Sequence, residues 1–182
     1  MEISVGDSLR ILVIGSAGAG KTTLIDRLCS DYDLCSYDVR TVVLQIVQRV
    51  GDNDIGDLIN DAYSELLDLL PRLDIQILEV ANDRPETFFE PLVECFFDGQ
   101  QGVVVYVSCS QDLCIQRVNQ REIITPEYRI KEHCTYNYSF FREYSENLDI
   151  PLIEFHGDGE FELEYERFIQ VIGNSCILRT PL

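Results

Sequence analysis

Positive charge is scarce in this chain. Lysine occurs only at positions 21 and 131, and Lys and Arg together number 14 against 32 Asp and Glu, a net charge of -18. So acidic a surface repels nucleic acid and anionic lipid, so neither is expected as a partner. It also repels nucleotides, so any phosphate site must gather the few cations present. The acidity itself reads as an aid to solubility, a salty habitat or, less directly, a basic protein partner. Long apolar runs are absent too: nothing approaches the roughly 20 residues of a membrane span. The opening MEISVGDSLR has no apolar core of the kind a signal peptide needs, so a cytoplasmic protein, or one in the equivalent compartment of a host cell, is expected. The cysteines number seven and include no CxxC pair. Several lie in apolar runs, where a thiol behaves as a small hydrophobe, so reduced core thiols are expected rather than a disulfide framework or a zinc site. His133 and His156 add no metal-ligand spacing. With no repeat, low-complexity tract or linker, residues 1–182 read as one domain, long enough to bury a core.

Strand and helix patterns alternate along the chain. Arg10–Ile14 is a short apolar run ending in a glycine-rich loop, and a helix is expected from about Lys21 to Ser30. Val42–Ile46 is rich in β-branched residues and reads as the second strand. Asp54–Leu70 has apolar residues at helical spacing and stops before Pro71. DIQILEV (74–80) reads as a strand and Pro85–Phe97 as an amphipathic helix. Gly102–Ser108 is nearly all apolar, the mark of a central parallel strand covered on both faces. Asp112–Gln120 is helical. Thr125-Pro126-Glu127 is a helix start, with a hydroxyl cap and proline at the first position, and that helix is expected to run to about Asn147. IPLIEF (150–155) is the last strand, and Leu163–Ile172 the last helix. This alternation predicts an α/β fold: a doubly wound, mainly parallel sheet of about five strands with helices on both faces.

One motif is specific. GSAGAGKT, residues 15–22, matches G-x-x-x-x-G-K-[ST] between a strand and a helix. The glycines let backbone N–H groups of Gly15, Ser16, Ala17, Gly18, Ala19 and Gly20 turn toward phosphates, and the helix N-terminus carrying Lys21, Thr22 and Thr23 adds its positive end. Lys21 is placed for the β- and γ-phosphates and the Thr22 hydroxyl for Mg²⁺. The motif predicts a P-loop NTPase domain that binds a nucleoside triphosphate.

Beyond that motif the chain resembles the P-loop nucleoside and nucleotide kinases, the group of deoxynucleoside, thymidylate and adenylate kinases. ILEVANDR (77–84) is similar to their third strand, which ends in an acidic residue and an arginine near the acceptor. VVVYVSCSQDLCIQRVNQR (103–121) is similar to their next strand and the helix bearing lid arginines, and IPLIEFHGDG to their final strand and turn, which lies near the adenine. The resemblance implies ATP as donor, with GTP possible, Mg²⁺, and a small-molecule acceptor, a nucleoside or nucleotide. It implies roles for Arg84, Arg117 and Arg121 on the transferred phosphoryl, with Arg129 nearby. Glu79, ahead of Asp83, would be the carboxylate that helps Thr22 hold the metal. A base for an acceptor hydroxyl is not evident; Asp52 and Asp54 are the candidates. The lid, Glu122–Thr125, is very short. A second resemblance, to Ras-like GTPases, runs through residues 74–108 and SENLDIPLIEF (145–155). It implies a nucleotide-binding module acting through a protein partner. The D-x-x-G motif of that family is altered at Glu79–Asn82, its N-K-x-D has no match, and the helix at 54–70 falls where it has a β-hairpin.

Overall fold

The computed structural model describes residues 9–50, 55–81, 85–120 and 127–174. Five strands, β1 (Arg10–Gly15), β2 (Ser36–Asp38), β3 (Ile77–Ala81), β4 (Gly102–Ser108) and β5 (Leu152–His156), form one sheet in the order β2-β3-β1-β4-β5. Every pairing is parallel. The strands alternate sides: Leu12 and Ile14 face one apolar layer, Ile11 and Val13 the other. Helices α2 (Arg40–Val50), α3 (Ile55–Leu69), α4 (Pro85–Phe97) and α7 (Tyr138–Asn147) cover the first face. Helices α1 (Lys21–Tyr32), α5 (Gln111–Asn119), α6 (Glu127–Thr135) and α8 (Phe161–Asn174) cover the second. The expected doubly wound α/β architecture is therefore present. From β1 the chain goes to one side for β2 and β3, then crosses to β4 and β5. Both neighbours of β1 thus diverge at its carboxyl end, the crevice where such sheets take ligands.

Two expected elements differ. Val42–Ile46 is helix, not strand. A strand would bury residues 42, 44 and 46 together, but the structure buries Val39, Val42 and Ile46 and leaves Leu44 43 % exposed, a helical spacing. The second strand lies earlier, at Ser36–Asp38, bonded only to β3 and too short to show a pattern. The long helix expected from Thr125 to Asn147 is two. Asn137 starts α7, its side chain accepting from the Ser139 N–H at 3.0 Å and the Phe140 N–H at 3.3 Å, which ends α6 and redirects the chain. Among the described residues no helix is long and apolar enough to cross a membrane.

Candidate nucleotide site and adjoining cavity

The glycine-rich loop joins β1 to α1 at the divergence of the sheet, and its shape is enforced by close neighbours. Gly18 has φ +84°, and a Cβ there would stand 2.5 Å from the Cys114 carbonyl oxygen on α5. Gly157, in the turn after β5, approaches the loop from the other side: a Cβ on it would be 2.0 Å from the Ala19 oxygen. Only glycine allows these approaches. Lys21 opens α1 and is buried. Its ammonium donates to the Gly15 oxygen at 3.0 Å and the Ser16 oxygen at 3.1 Å.

Glu79 stands on β3 beside this lysine, because β3 pairs with β1 in a register that sets Val13 against Glu79 and Gly15 against Ala81. Its carboxylate accepts from the Thr22 hydroxyl at 3.1 and 3.2 Å on its two oxygens and lies 3.8 Å from the Lys21 ammonium. Burial pushes the Glu79 carboxyl above the usual range, and Asp38 adds to that; Lys21 and the Thr22 hydroxyl pull the other way. A carboxylate and a hydroxyl converging at the mouth of the loop are hard oxygen donors of the kind Mg²⁺ takes, one or two from protein and the rest from phosphate and water. A dication there would also offset the cost of ionising a buried acid. Thr22 and Glu79 therefore fit the metal assigned to them.

Arg117, in the last turn of α5, touches the loop from behind. It donates to the Gly18 and Ala19 oxygens at 3.3 and 3.4 Å, to the Gly157 oxygen at 2.8 Å and to the Cys109 sulfur at 3.7 Å. Its guanidinium thus stitches the phosphate loop to the turn after β5. Arg129 is on α6, its guanidinium 6.0 Å from the centre of the Tyr128 ring. Arg84, Arg121, Asp52, Asp54, Asp83 and the Glu122–Thr125 lid lie outside the described residues.

Sequence reasoning missed three neighbours. Asp38 ends β2 directly across from Glu79 and accepts from the Arg40 N–H at 2.8 Å; its short strand carried no signal. The other two are Ser108 and His156, which end β4 and β5 in register, Ser108 Oγ 3.1 Å from His156 Nδ1. The same nitrogen is 3.7 Å from Glu154. They line a cavity of about 470 Å³ at the carboxyl ends of β4 and β5, with Ser16 of the loop, Glu154 and Asp158 in its wall and the first turn of α7 across it. Polar residues ending two adjacent apolar strands were the available sign.

No family model matches this sequence, and no curated protein matches it. Solved structures do. A sugar kinase from Janibacter sp. HTCC2649 superposes with a TM-score of 0.59 at 15 % identity, covering 96 % of this chain and 99 % of its own. Shikimate kinase from Acinetobacter baumannii, solved with shikimate, gives a TM-score of 0.63 at 18 % identity over 91 % of this chain and 93 % of its own. Shikimate kinase from Bacteroides thetaiotaomicron gives 0.57 at 15 % identity, over 91 % and 98 %. At such identities the likeness is one of fold, shared with these kinases over nearly the whole chain.

Proposed function

We propose that this protein is an ATP-dependent phosphotransferase that moves the γ-phosphoryl group to a small acceptor. The observation that carries the reading is the meeting of Lys21, Thr22 and Glu79 at the carboxyl ends of β1 and β3. Lys21 neutralises charge on the β- and γ-phosphates, and the loop N–H groups and the α1 terminus orient them. Thr22 and Glu79 would hold Mg²⁺, which when bound adds charge neutralisation across the same oxygens. Arg117 keeps the loop in position, and Arg84 and Arg121 remain assigned to the phosphoryl group by family resemblance. The resemblance places the adenine near the turn after β5, so the cavity beside Ser16 that His156 and Asp158 line suits the nucleotide base. The acceptor, by the same resemblance, is a nucleoside or nucleotide.

The alternative, a degenerate Ras-like module, fits less well. Helices α2 and α3 fill the connection between β2 and β3, where that family carries a hairpin. A phosphotransfer screen tests the choice, with ATP and GTP as donors and nucleosides, deoxynucleosides, their monophosphates and neutral sugars as acceptors. Transfer that Lys21→Ala abolishes supports the kinase. Tight Mg²⁺-nucleotide binding with no transfer to any of these overturns it in favour of the binding module.

A further inference from the structure

Alternation along β5 sends Ile153 and Phe155 into one apolar layer and turns Leu152, Glu154 and His156 toward the other. On the neighbouring β4, Tyr106 and Ser108 face the same way. The register sets Tyr106 beside Glu154 and Ser108 beside His156, and all four line the cavity. Leu152, two residues before Glu154 on the same face, packs on the apolar layer. An acid continuing that row needs a cation, a hydrogen-bond donor or water.

Among the described residues no lysine or arginine supplies that cation. None lines the cavity. Arg167 donates only to the Glu154 backbone oxygen, at 2.9 Å, and pairs with Glu164 at 2.8 Å. His156 Nδ1 stands 3.7 Å from Glu154 Oε1, beyond hydrogen-bond reach, and 3.1 Å from Ser108 Oγ. The Glu154 side chain is 29 % exposed, so a ligand in the cavity can reach it. Across from it, Asn137 has the opposite limit. Its amide oxygen already accepts two N–H groups, those of Ser139 and Phe140, which leaves its N–H2 to turn to a ligand. Tyr106 and Tyr138, with ring centres 6.3 Å apart, give the cavity aromatic surface against which a flat ring packs.

We infer that Glu154 selects the base: the cavity takes a flat base carrying an exocyclic amino group, which donates to the Glu154 carboxylate while the Asn137 N–H2 donates to an acceptor on the ring. This rests on the reading above that the cavity receives the base. Adenine meets both demands, with its N6 amino group next to an unprotonated N1. A keto oxygen in place of the amino group would set acceptor against acceptor at Glu154, a mismatch that discriminates by repulsion. The selection is made by a side chain on the sheet and needs no N-K-x-D motif.

Isothermal titration calorimetry of the full-length protein with Mg²⁺ tests this on three ligands: ATP, purine riboside triphosphate (ATP without its amino group) and inorganic tripolyphosphate. Purine riboside triphosphate should bind about tenfold more weakly than ATP, the low end for a hydrogen bond to a charged group, and tripolyphosphate more weakly still. In Glu154→Ala the ratio of ATP to purine riboside triphosphate affinity should fall to about one. The ratio is the readout because removing an acid eases the approach of all three anions alike and leaves their ratios unchanged. Glu154→Gln, which can turn an N–H2 to a keto oxygen, should bind ITP more tightly than wild type does. If the alanine variant does not fold, the wild-type comparison and the glutamine variant decide. Equal binding of ATP and purine riboside triphosphate to wild type, both tighter than tripolyphosphate, overturns Glu154 as the selector and leaves the base reading intact. A preference for ATP that survives unchanged in Glu154→Ala does the same. Equal binding of all three ligands removes the base from the cavity, and with it the reading on which the selection depends.

Discussion

Removing the Arg117 side chain would test whether the phosphate loop is held from behind. In Arg117→Ala three bonds to backbone oxygens disappear. The bond to Gly157 at 2.8 Å is a full charge-assisted one, and those to Gly18 and Ala19, at 3.3 and 3.4 Å, are long and share one nitrogen. A hydrogen bond to a charged group contributes about 1.5–3 kcal/mol. The side chain is half-buried, so the low end applies to the first bond and about 1 kcal/mol to the other two together, about 2.5 kcal/mol in all. At about 2–4 °C per kcal/mol for a chain of this size, the melting temperature should drop by roughly 5–10 °C. The loop itself loses its restraint, so nucleotide affinity should fall with stability. Arg117→Lys should recover only part of either, because an ammonium cannot span the loop and the turn as the planar fork does. Circular-dichroism melts with and without Mg²⁺-ATP, together with a fluorescent-nucleotide titration, read both quantities. A variant that melts within about 1 °C of wild type and binds nucleotide equally well would refute the argument. Unchanged melting and binding with a turnover loss of about 10²-fold would mean that Arg117 acts on the transition state instead.

Lys21→Ala should remove nucleotide binding while leaving the circular-dichroism spectrum near wild type, since the ammonium meets two loop oxygens and Glu79 at the site rather than the apolar core. Gly157→Ala should lower both stability and nucleotide affinity, because its Cβ would collide with the Ala19 carbonyl, which is backbone and cannot swing aside; melts and titrations at one pH suffice. Glu79 sets a pH trend. Its folded-state pKa is raised above the ordinary 4.5, so above that pH the folded chain binds more protons than the unfolded one, and stability falls as pH rises through the folded value. Urea midpoints across this range should decline in wild type and flatten in Glu79→Gln, which should also lose Mg²⁺ dependence of nucleotide binding. Competition titrations should show ATP bound as well as GTP or better; a preference for GTP of about a hundredfold (~2.7 kcal/mol) would return the Ras-like reading.

Where a residue's neighbours in sequence decide its role, the sequence was a sufficient guide. The loop from Gly15 to Thr22 is local, and β1, β3 and β4 announce themselves as apolar runs buried on two faces. Elements decided by long-range pairing were not legible. Ser36–Asp38 is a strand only because β3 lies beside it, so Asp38 went unnoticed although it ends opposite Glu79. The β-branched run at 42–46 pointed to a strand on propensity, and packing of Val42 and Ile46 against the sheet overrode that. Asn137 gave a cap signal that the continuous apolar pattern around it concealed. Arg117 was placed on the correct helix, but its targets are carbonyl oxygens 99 residues before it and 40 residues after it, contacts that no spacing rule supplies.

A loop clasped by Cys114 and Gly157 has a kinetic consequence. Its shape is set before any phosphate arrives, so association spends nothing on ordering it. What slows the encounter is the field: a nucleotide triphosphate must approach a chain of net charge -18. Electrolyte screens that repulsion, so the on-rate should climb as salt is added, the reverse of the usual behaviour of phosphate-binding proteins. Once seated, the ligand touches backbone groups that do not need to move, and its residence time is set by contacts that salt reaches poorly. An acidic shell around a pre-shaped cationic slot thus couples ionic strength to how often the slot is visited more than to how long it is occupied.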